Sequence, residues 1–365
     1  NWMQPEKCDV LIIGAGFAGA STAFHLSEIF QGSILVIERE EVPGVHASGR
    51  NASLVLQSVA DPAIRAVVAA STREYAKLHS ELGFRQTGSL MLGTPSRLEG
   101  LRQTDLVESS LREADAVRSR VPLLEGHTFE AALDTPGDGV IDIWALLQYY
   151  LAGARSRGVK VRLNSPVQGI SGSGPFRVET SRGTLEADYL INAAGAWAGA
   201  VAAMSGATQL PLRPWKRHLL ALKEIDGIDP DGPFVWSLEP EFYFRPDSQG
   251  LLFSICDEEE DSSLETLVSE GISERAAELV WKELPAMRTA AERDVWSCFR
   301  TRAPDSRFVI GWDPGCQGFF WVAGLGGHGV GSSWEVGRIA ASLFCNGTAE
   351  LRDAFSPKRY TGPAQ

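Results

Sequence analysis

The sequence predicts an α/β fold in which one lobe, built around a βαβ unit, is interleaved with an α+β lobe on an antiparallel sheet. Short apolar runs of buried-strand type lie near both ends and in the middle, at residues 9–13, 33–37, 189–193, 307–310 and 319–323. Between them, residues 217–222, 234–236, 241–244 and 251–255 alternate apolar with polar, the pattern of an antiparallel sheet with one solvated face. At 365 residues the chain is long enough for two such lobes.

The elements follow in order. Asp9-Val-Leu-Ile-Ile13 leads through a glycine turn into residues 17–30, whose apolar positions have helical spacing, and Ser33-Ile-Leu-Val-Ile37 completes the βαβ unit. A polar, glycine-punctuated loop spans 43–53, and a helix is expected over 61–82. Residues 83–135 differ in character, with one strand at 89–92. A helix over 143–157 precedes strands at 159–162, 176–179 and 189–193. After the alternating strands, a charged helix is expected over 262–284, and the last helix over 332–344. No internal repeat or low-complexity tract interrupts this order.

Composition narrows the function. A net charge of −12 argues against nucleic acid or an anionic membrane surface as partner. No apolar run reaches the roughly 18 residues of a transmembrane helix, and the polar start up to Cys8 lacks the order of a signal peptide. Cys8, Cys256, Cys298, Cys316 and Cys345 form no CxxC pair, so no metal site is expected and a cytoplasmic setting is the default.

Gly14-Ala-Gly16-Phe-Ala-Gly19 is a G-x-G-x-x-G that follows a strand and opens a helix. Glu38 ends the next strand 22 residues after Gly16, near the spacing of about 20 at which an acid meets a ribose. Gly14 permits the turn, Gly16 lets backbone N–H groups approach a pyrophosphate, and Gly19 lets helix and strand pack closely. The helix N-terminus favours the anion. An acid at Glu38 repels a 2′-phosphate, which disfavours an NADP-type ligand.

Later segments extend the pattern. Asn192-Ala-Ala-Gly195-Ala-Trp197 ends a buried strand in a small-residue turn. With the fingerprint, the loop Ser48-Gly-Arg-Asn-Ala-Ser53 and Gly318-Phe-Phe-Trp-Val-Ala-Gly-Leu-Gly-Gly-His-Gly329, it makes the chain resemble the D-amino-acid-oxidase-like (DAO) family of flavoproteins over nearly its whole length. D-arginine dehydrogenase and glycine oxidase-type enzymes are the nearest members, the former through Gly19-Ala-Ser-Thr22, Val36-Ile-Glu-Arg-Glu40 and Phe242-Tyr243. The resemblance implies a Rossmann-like FAD-binding domain of the glutathione-reductase-like two-layer type over 1–82, 136–205 and 296–365, with a substrate-binding domain over 83–135 and 206–295. FAD would be held by Gly14, Gly16, Phe17, Ala18, Gly19, Glu38 and Arg39, and by His46, Ala47, Ser48, Arg50, Asn51, Ala52 and Ser53 of the following loop. Val167, Ala194, Gly195 and Trp197 would complete its nucleotide side, and Arg300, Gly326, Gly327, His328, Gly329 and Val330 its flavin side. Non-covalent FAD is favoured; Cys298 aligns with the cysteine that carries covalent FAD in monomeric sarcosine oxidase. Gly324-Leu-Gly326-Gly-His-Gly329 also fits G-x-G-x-x-G, but no strand with a terminal acid follows it. It is read as the turn whose amides face the flavin pyrimidine.

An amino-acid substrate needs a cation for its carboxylate, and arginine offers two donors in a matching fork. Arg217 and Arg300 match the carboxylate-binding positions of D-arginine dehydrogenase, although Arg213 and Lys216 compete with Arg217 for that role. Tyr243 matches a substrate-contacting tyrosine, and His328 is the candidate proton acceptor, with a structural role in the turn equally open. Leu54, Leu56 and Gly327 complete the expected substrate surface. The acid that would pair with a guanidinium is replaced near Ser89, so a small or apolar substrate side chain fits better than a cationic one.

The expected function is therefore FAD-dependent oxidation of a small amine, a D-amino acid or secondary amino acid with a non-cationic side chain. Substrate would lie between the lobes, its carboxylate on Arg217 and Arg300, and hydride transfer to flavin N5 would leave an imine. A 2-hydroxy-acid dehydrogenase and an FAD-binding subunit active only in a complex are the alternatives. The electron acceptor, whether oxygen, a quinone or a protein, is left open, as is a peripheral membrane location should it be a quinone.

Overall fold

The computed structural model describes residues 4–102 and 105–361, so the outermost ends of the expected FAD domain, 1–3 and 362–365, lie outside the described residues. The chain divides into two compact units. The first runs up to Gly49, through Ile143–Trp215 and from Phe299 on; the second comprises Arg50–Asp142 and Lys216–Cys298.

In the first unit an eight-stranded sheet runs in the order Val309–Trp312, Phe319–Ala323, Gly183–Asn192, Glu6–Ile13, Ile34–Ile37, Lys160–Arg162, with Phe176–Thr180 and Val167–Ser171 branching from Gly183–Asn192. Ile34–Ile37 is buried at every position, and Val10 to Ile13 likewise, as parallel strands covered on both faces must be. Phe17–Ile29 packs closely with Ile143–Ser156 and Gly329–Asn346. Phe24, Tyr149, Tyr150 and Trp334 join these three helices through ring centroids 5.5 to 6.5 Å apart.

Register decides where this unit places its functional groups. Ile13 pairs in parallel with both Ile37 and Asn192, and Asn192 pairs in parallel with Trp321. The glycine turn after Ile13, Glu38 after Ile37, the turn after Asn192 and the glycine cluster after Ala323 therefore all leave the same carboxyl edge of the sheet, where open α/β sheets bind ligands.

The second unit holds a nine-stranded sheet in the order Glu259–Glu260, Arg213–Lys223, Gly250–Ser254, Glu241–Asp247, Phe234–Leu238, Ser89–Gly93, Ala131–Thr135, Ser110–Glu113, with Ala291–Arg302 also on Arg213–Lys223. It departs from the antiparallel expectation where Phe234–Leu238 and Ser89–Gly93 run parallel. Its main core gathers Leu90, Leu92, Leu220, Val235, Phe242, Phe244 and Phe253 from the sheet with Ala276, Val280 and Leu284.

Several expectations change. Residues 50–82 and 136–142, expected in the FAD lobe, group with the second unit. Leu54–Val55 pairs there with Gly139–Val140, and Arg245 Nε donates to Ala52 O at 2.6 Å. The helix expected over 61–82 is two, Pro62–Lys77 and His79–Leu82. The first starts where the Asp61 carboxylate accepts from the Ala63 and Ile64 amides, with proline at the first helical position. The 262–284 helix shortens to Ile272–Glu283, preceded by Gly271 in the left-handed region, and the Ser269 amide before it donates to His218 Nε2 on strand Arg213–Lys223. The last helix begins three residues early, at Gly329. Residues 83–135 carry Ala131–Thr135 and Ser110–Glu113 as well as the expected strand.

Candidate active site

The fingerprint is built from close backbone contacts. Gly14 has φ +107° and its amide donates to Ile37 O at 2.8 Å. A Cβ on Gly19 would overlap Gly14 O, and one on Gly14 would overlap Ala193 O. These glycines let helix Phe17–Ile29 and the Asn192 turn close on the strand end. Glu38, 9% exposed at the strand terminus, accepts the Ala15 amide on Oε2 at 2.9 Å and the Glu40 amide on Oε1 at 3.1 Å. Its carboxylate is thereby fixed beside the turn.

The Ser48 hydroxyl reaches the same place. Its Oγ accepts the Phe17 amide at 3.0 Å, and a Cβ on Gly16 would stand 2.8 Å from it. The amide end of helix Phe17–Ile29, with Ala18 in its first turn, has the geometry to cradle an anion, with Ser48 at its rim. Beyond Glu38, Arg39 lies over the Trp197 ring at 4.8 Å, and the His46 ring meets Trp197 at 4.6 Å between centroids. His46 Nε2 bonds Glu40 at 2.9 Å, and the Gly49 amide donates to His46 O. Asn192 Nδ2 donates to Ala198 O at 2.8 Å while its Oδ1 accepts the Ala194 amide at 3.3 Å, which pins the Ala194-Gly195-Ala-Trp197 turn. Val167 begins the outer strand and packs on the unit's core. Ala47, between His46 and Ser48, lies in the same turn-rich loop.

At the glycine cluster, His328 precedes the helix and Gly329 and Val330 form its first residues. His328 is half-buried, its ring 6.4 Å from Phe308. The Gly326 amide donates to Thr301 O at 3.0 Å, tying the turn to strand Ala291–Arg302. Arg300 lies directly against the turn: a Cβ on Gly327 would stand 2.9 Å from its Nε. Gly327 has φ +93° and is exposed. Arg300 is half-buried and has no hydrogen-bond or ion-pair partner among the described residues.

The second unit holds the other expected residues. Tyr243 is 1% exposed and stacks on Trp236 at 4.5 Å, its cross-strand partner. Leu54 packs into the same cluster, with Trp296 and Ala52. Leu56, two residues on, packs instead with Met91, Leu98 and Leu133, so the two leucines serve different clusters. Trp296 Nε1 donates to Arg50 O at 3.3 Å, and Asn51 Oδ1 accepts the Ser53 amide at 2.8 Å, so the Arg50–Ser53 loop is fixed at several points. Trp236 and Trp296 were not singled out from the sequence; their positions on alternating strands were the available signal.

Arg217 is buried and engaged. Nε donates to Asp257 O at 3.1 Å, and Nη2 to Cys256 O at 3.2 Å and Glu258 Oε1 at 2.7 Å. Lys216 pairs with Asp261 at 2.6 Å. Ser89 donates to the buried Asp138 at 2.7 Å, and Asp138 also accepts from Gln57 N and Nε2. An acid does stand near Ser89, but it is wholly enclosed, and burial pushes its carboxyl up to about 7. Cys298 is buried.

The glycine turn after the first strand, the acid at the second strand's end and a second glycine turn leave the same edge of one sheet. Residues 9–343 match the family described as DAO, FAD dependent oxidoreductase. The chain belongs to the DAO family. FAD is the cofactor of that family, and the cradle at Gly16, the fixed Glu38 carboxylate and the packed Arg39, His46 and Trp197 suit its adenosine and pyrophosphate.

Human mitochondrial dimethylglycine dehydrogenase is 27% identical over 94% of this chain and 43% of its own length. The mouse mitochondrial pyruvate dehydrogenase phosphatase regulatory subunit is 24% identical over 94% of this chain and 42% of its own. The chain therefore spans less than half the length of these relatives. L-proline dehydrogenase from P. horikoshii shares the DAO fold at a TM-score of 0.88 and 23% identity, covering 98% of this chain and 99% of that one. Among the described residues no helix is long and apolar enough to cross a membrane.

Proposed function

We propose that this DAO-family chain oxidises a small N-substituted or simple amino acid with a non-cationic side chain. Arg300 carries the proposal: a half-buried guanidinium with no partner among the described residues, seated on Gly327 of the glycine turn. A substrate carboxylate would satisfy it through two parallel hydrogen bonds. Similarity to dimethylglycine dehydrogenase and to the L-proline dehydrogenase fold supports an amino acid whose nitrogen bears carbon substituents.

Bound FAD supplies the two-electron acceptor for the substrate's α-hydride, the amine leaving as an imine that water hydrolyses. The chain's tasks are positioning and charge. Arg300 orients the substrate by its carboxylate, and Arg217 is a second candidate carboxylate ligand in its own unit. An ammonium has no lone pair to expel hydride, so the nitrogen must be neutral; His328 is proposed to accept its proton at an imidazole nitrogen. Amides of the Gly326–Gly329 turn would stabilise negative charge that develops beside them. Tyr243 and Leu54, which pack in one apolar cluster of the second unit, are candidate substrate contacts there.

A second reading has one observation in its favour. The chain matches less than half of a regulatory subunit as well as of dehydrogenases, which supports an FAD-binding part that works only within a larger assembly. Anaerobic titration of the FAD-loaded protein separates the readings. Bleaching of the visible flavin band by sarcosine, dimethylglycine, proline or simple D-amino acids supports amine oxidation, and bleaching only by 2-hydroxy acids replaces it. Bound FAD that none of these reduces favours the subunit reading.

A further inference from the structure

Strand Arg213–Lys223 and the segment after Gly250–Ser254 are joined by three side-chain pairs. Lys216 meets Asp261, Arg217 meets Glu258 and His218 meets Asp257. His218 Nδ1 bonds Asp257 Oδ2 at 2.7 Å, the His218 amide donates to Asp257 Oδ1, and His218 Nε2 accepts the Ser269 amide at 3.0 Å. Lys216 holds Asp261. The segment is thus anchored on both sides of Glu258 by bonds that do not involve Glu258.

Glu258 differs from its neighbours. Its side chain is one-third exposed, whereas the Arg217 side chain it bonds is 4% exposed. Arg217 Nη1 is buried with no hydrogen-bond partner among the described residues. A buried guanidinium with an unpaired nitrogen has an unmet demand for an acceptor. The carboxylate already on its Nη2 belongs to a side chain that reaches solvent, on a segment held on both sides by other bonds.

We propose that Glu258 is a built-in, displaceable occupant of an anion site on Arg217. A carboxylate ligand takes the guanidinium by replacing the Glu258 carboxylate, accepting from Nη2 and from the unpaired Nη1 together. Glu258 then sets carboxylate affinity by competition, and it disfavours ligands that lack a carboxylate able to replace it. The inference rests on the reading of Arg217 as a carboxylate ligand.

The test is calorimetric titration of FAD-loaded protein with acetate and benzoate at fixed ionic strength, with acetamide and benzamide as uncharged controls. Glu258→Gln and Glu258→Ala should each bind the carboxylates about two- to tenfold more tightly, the range of a partly exposed ion pair, with amide binding unchanged. Unchanged or weaker carboxylate binding in both variants, while Arg217→Ala lowers it, overturns the role of Glu258 alone. Equal tightening for amides also overturns it, since the effect would then be steric. Unchanged carboxylate binding in Arg217→Ala overturns the underlying reading of Arg217 and the inference with it.

Discussion

The first unit makes its glycine turn from backbone: glycines admit close contacts, a helix opens directly from the turn, and one carboxylate is fixed by two amides. The second unit makes its polar interior from side chains, with Lys216, Arg217 and His218 paired across to Asp257, Glu258 and Asp261, and Asp138 enclosed by Gln57 and Ser89. A backbone-built site tolerates no added volume but needs no distant partner. A side-chain-built site tolerates volume but depends on charges brought together from afar. The two should fail differently under mutation.

The largest expected effect is Gly19→Val, whose Cβ would overlap Gly14 O. Overpacking against backbone should cost about 3 kcal/mol or more and abolish FAD retention, read as flavin absorbance per chain and as melting temperature. A variant retaining stoichiometric FAD would break the account of a backbone-built cradle.

Arg300→Ala comes next. Loss of a two-pronged charged contact should lower kcat/KM for an amino acid by about 30- to 1000-fold, corresponding to roughly 2–4 kcal/mol. FAD content should hardly change, and Arg300→Lys should recover only part of the loss because it lacks the planar fork. Equal kinetics in wild type and Arg300→Ala would remove Arg300 from the site.

Asp138 tests the side-chain-built interior through pH. Burial raises its carboxyl from an ordinary 3.8 to about 7, so the folded state favours the protonated form. Its contribution is fully present below about pH 4 and is lost as pH rises through about 7. Asp138→Asn keeps the shape without the charge. It should remove a slope of stability with pH worth on the order of 2–4 kcal/mol between those limits, measured by urea unfolding at several pH values. An identical pH profile in the variant would show that folding does not shift the Asp138 carboxyl.

Ser48→Ala should have the smallest effect. It removes the acceptor of the Phe17 amide, for about 1 kcal/mol of stability without FAD, and less with FAD if phosphate oxygens take that amide. A loss equal in both states would sharpen the picture, making Ser48 part of the scaffold.

The same contrast explains what could be read in the chain of letters. Gly14, Gly16, Gly19 and Glu38 were legible because the turn, the helix start and the strand end lie within 25 residues, and spacing along one βαβ unit is geometry. The glycine cluster was legible for the same reason. Leu54 and Leu56 were expected to serve one surface and serve two, since a short strand sends residues to different neighbours. The helix expected over 262–284 lost its first half to ties with a strand some fifty residues earlier. No periodicity within the segment signals that competition.

By itself, then, the sequence determined the βαβ unit, its glycine turn with Glu38 at the next strand's end, and the alternating strands, all properties of short-range spacing. Only the tertiary structure decided that residues 50–82 join the second unit, that Glu258 holds Arg217 and that Arg300 stands on Gly327 without a partner among the described residues. The reason is physical: strand register brings remote charges together, and whether a charge is satisfied depends on partners that lie far away along the chain.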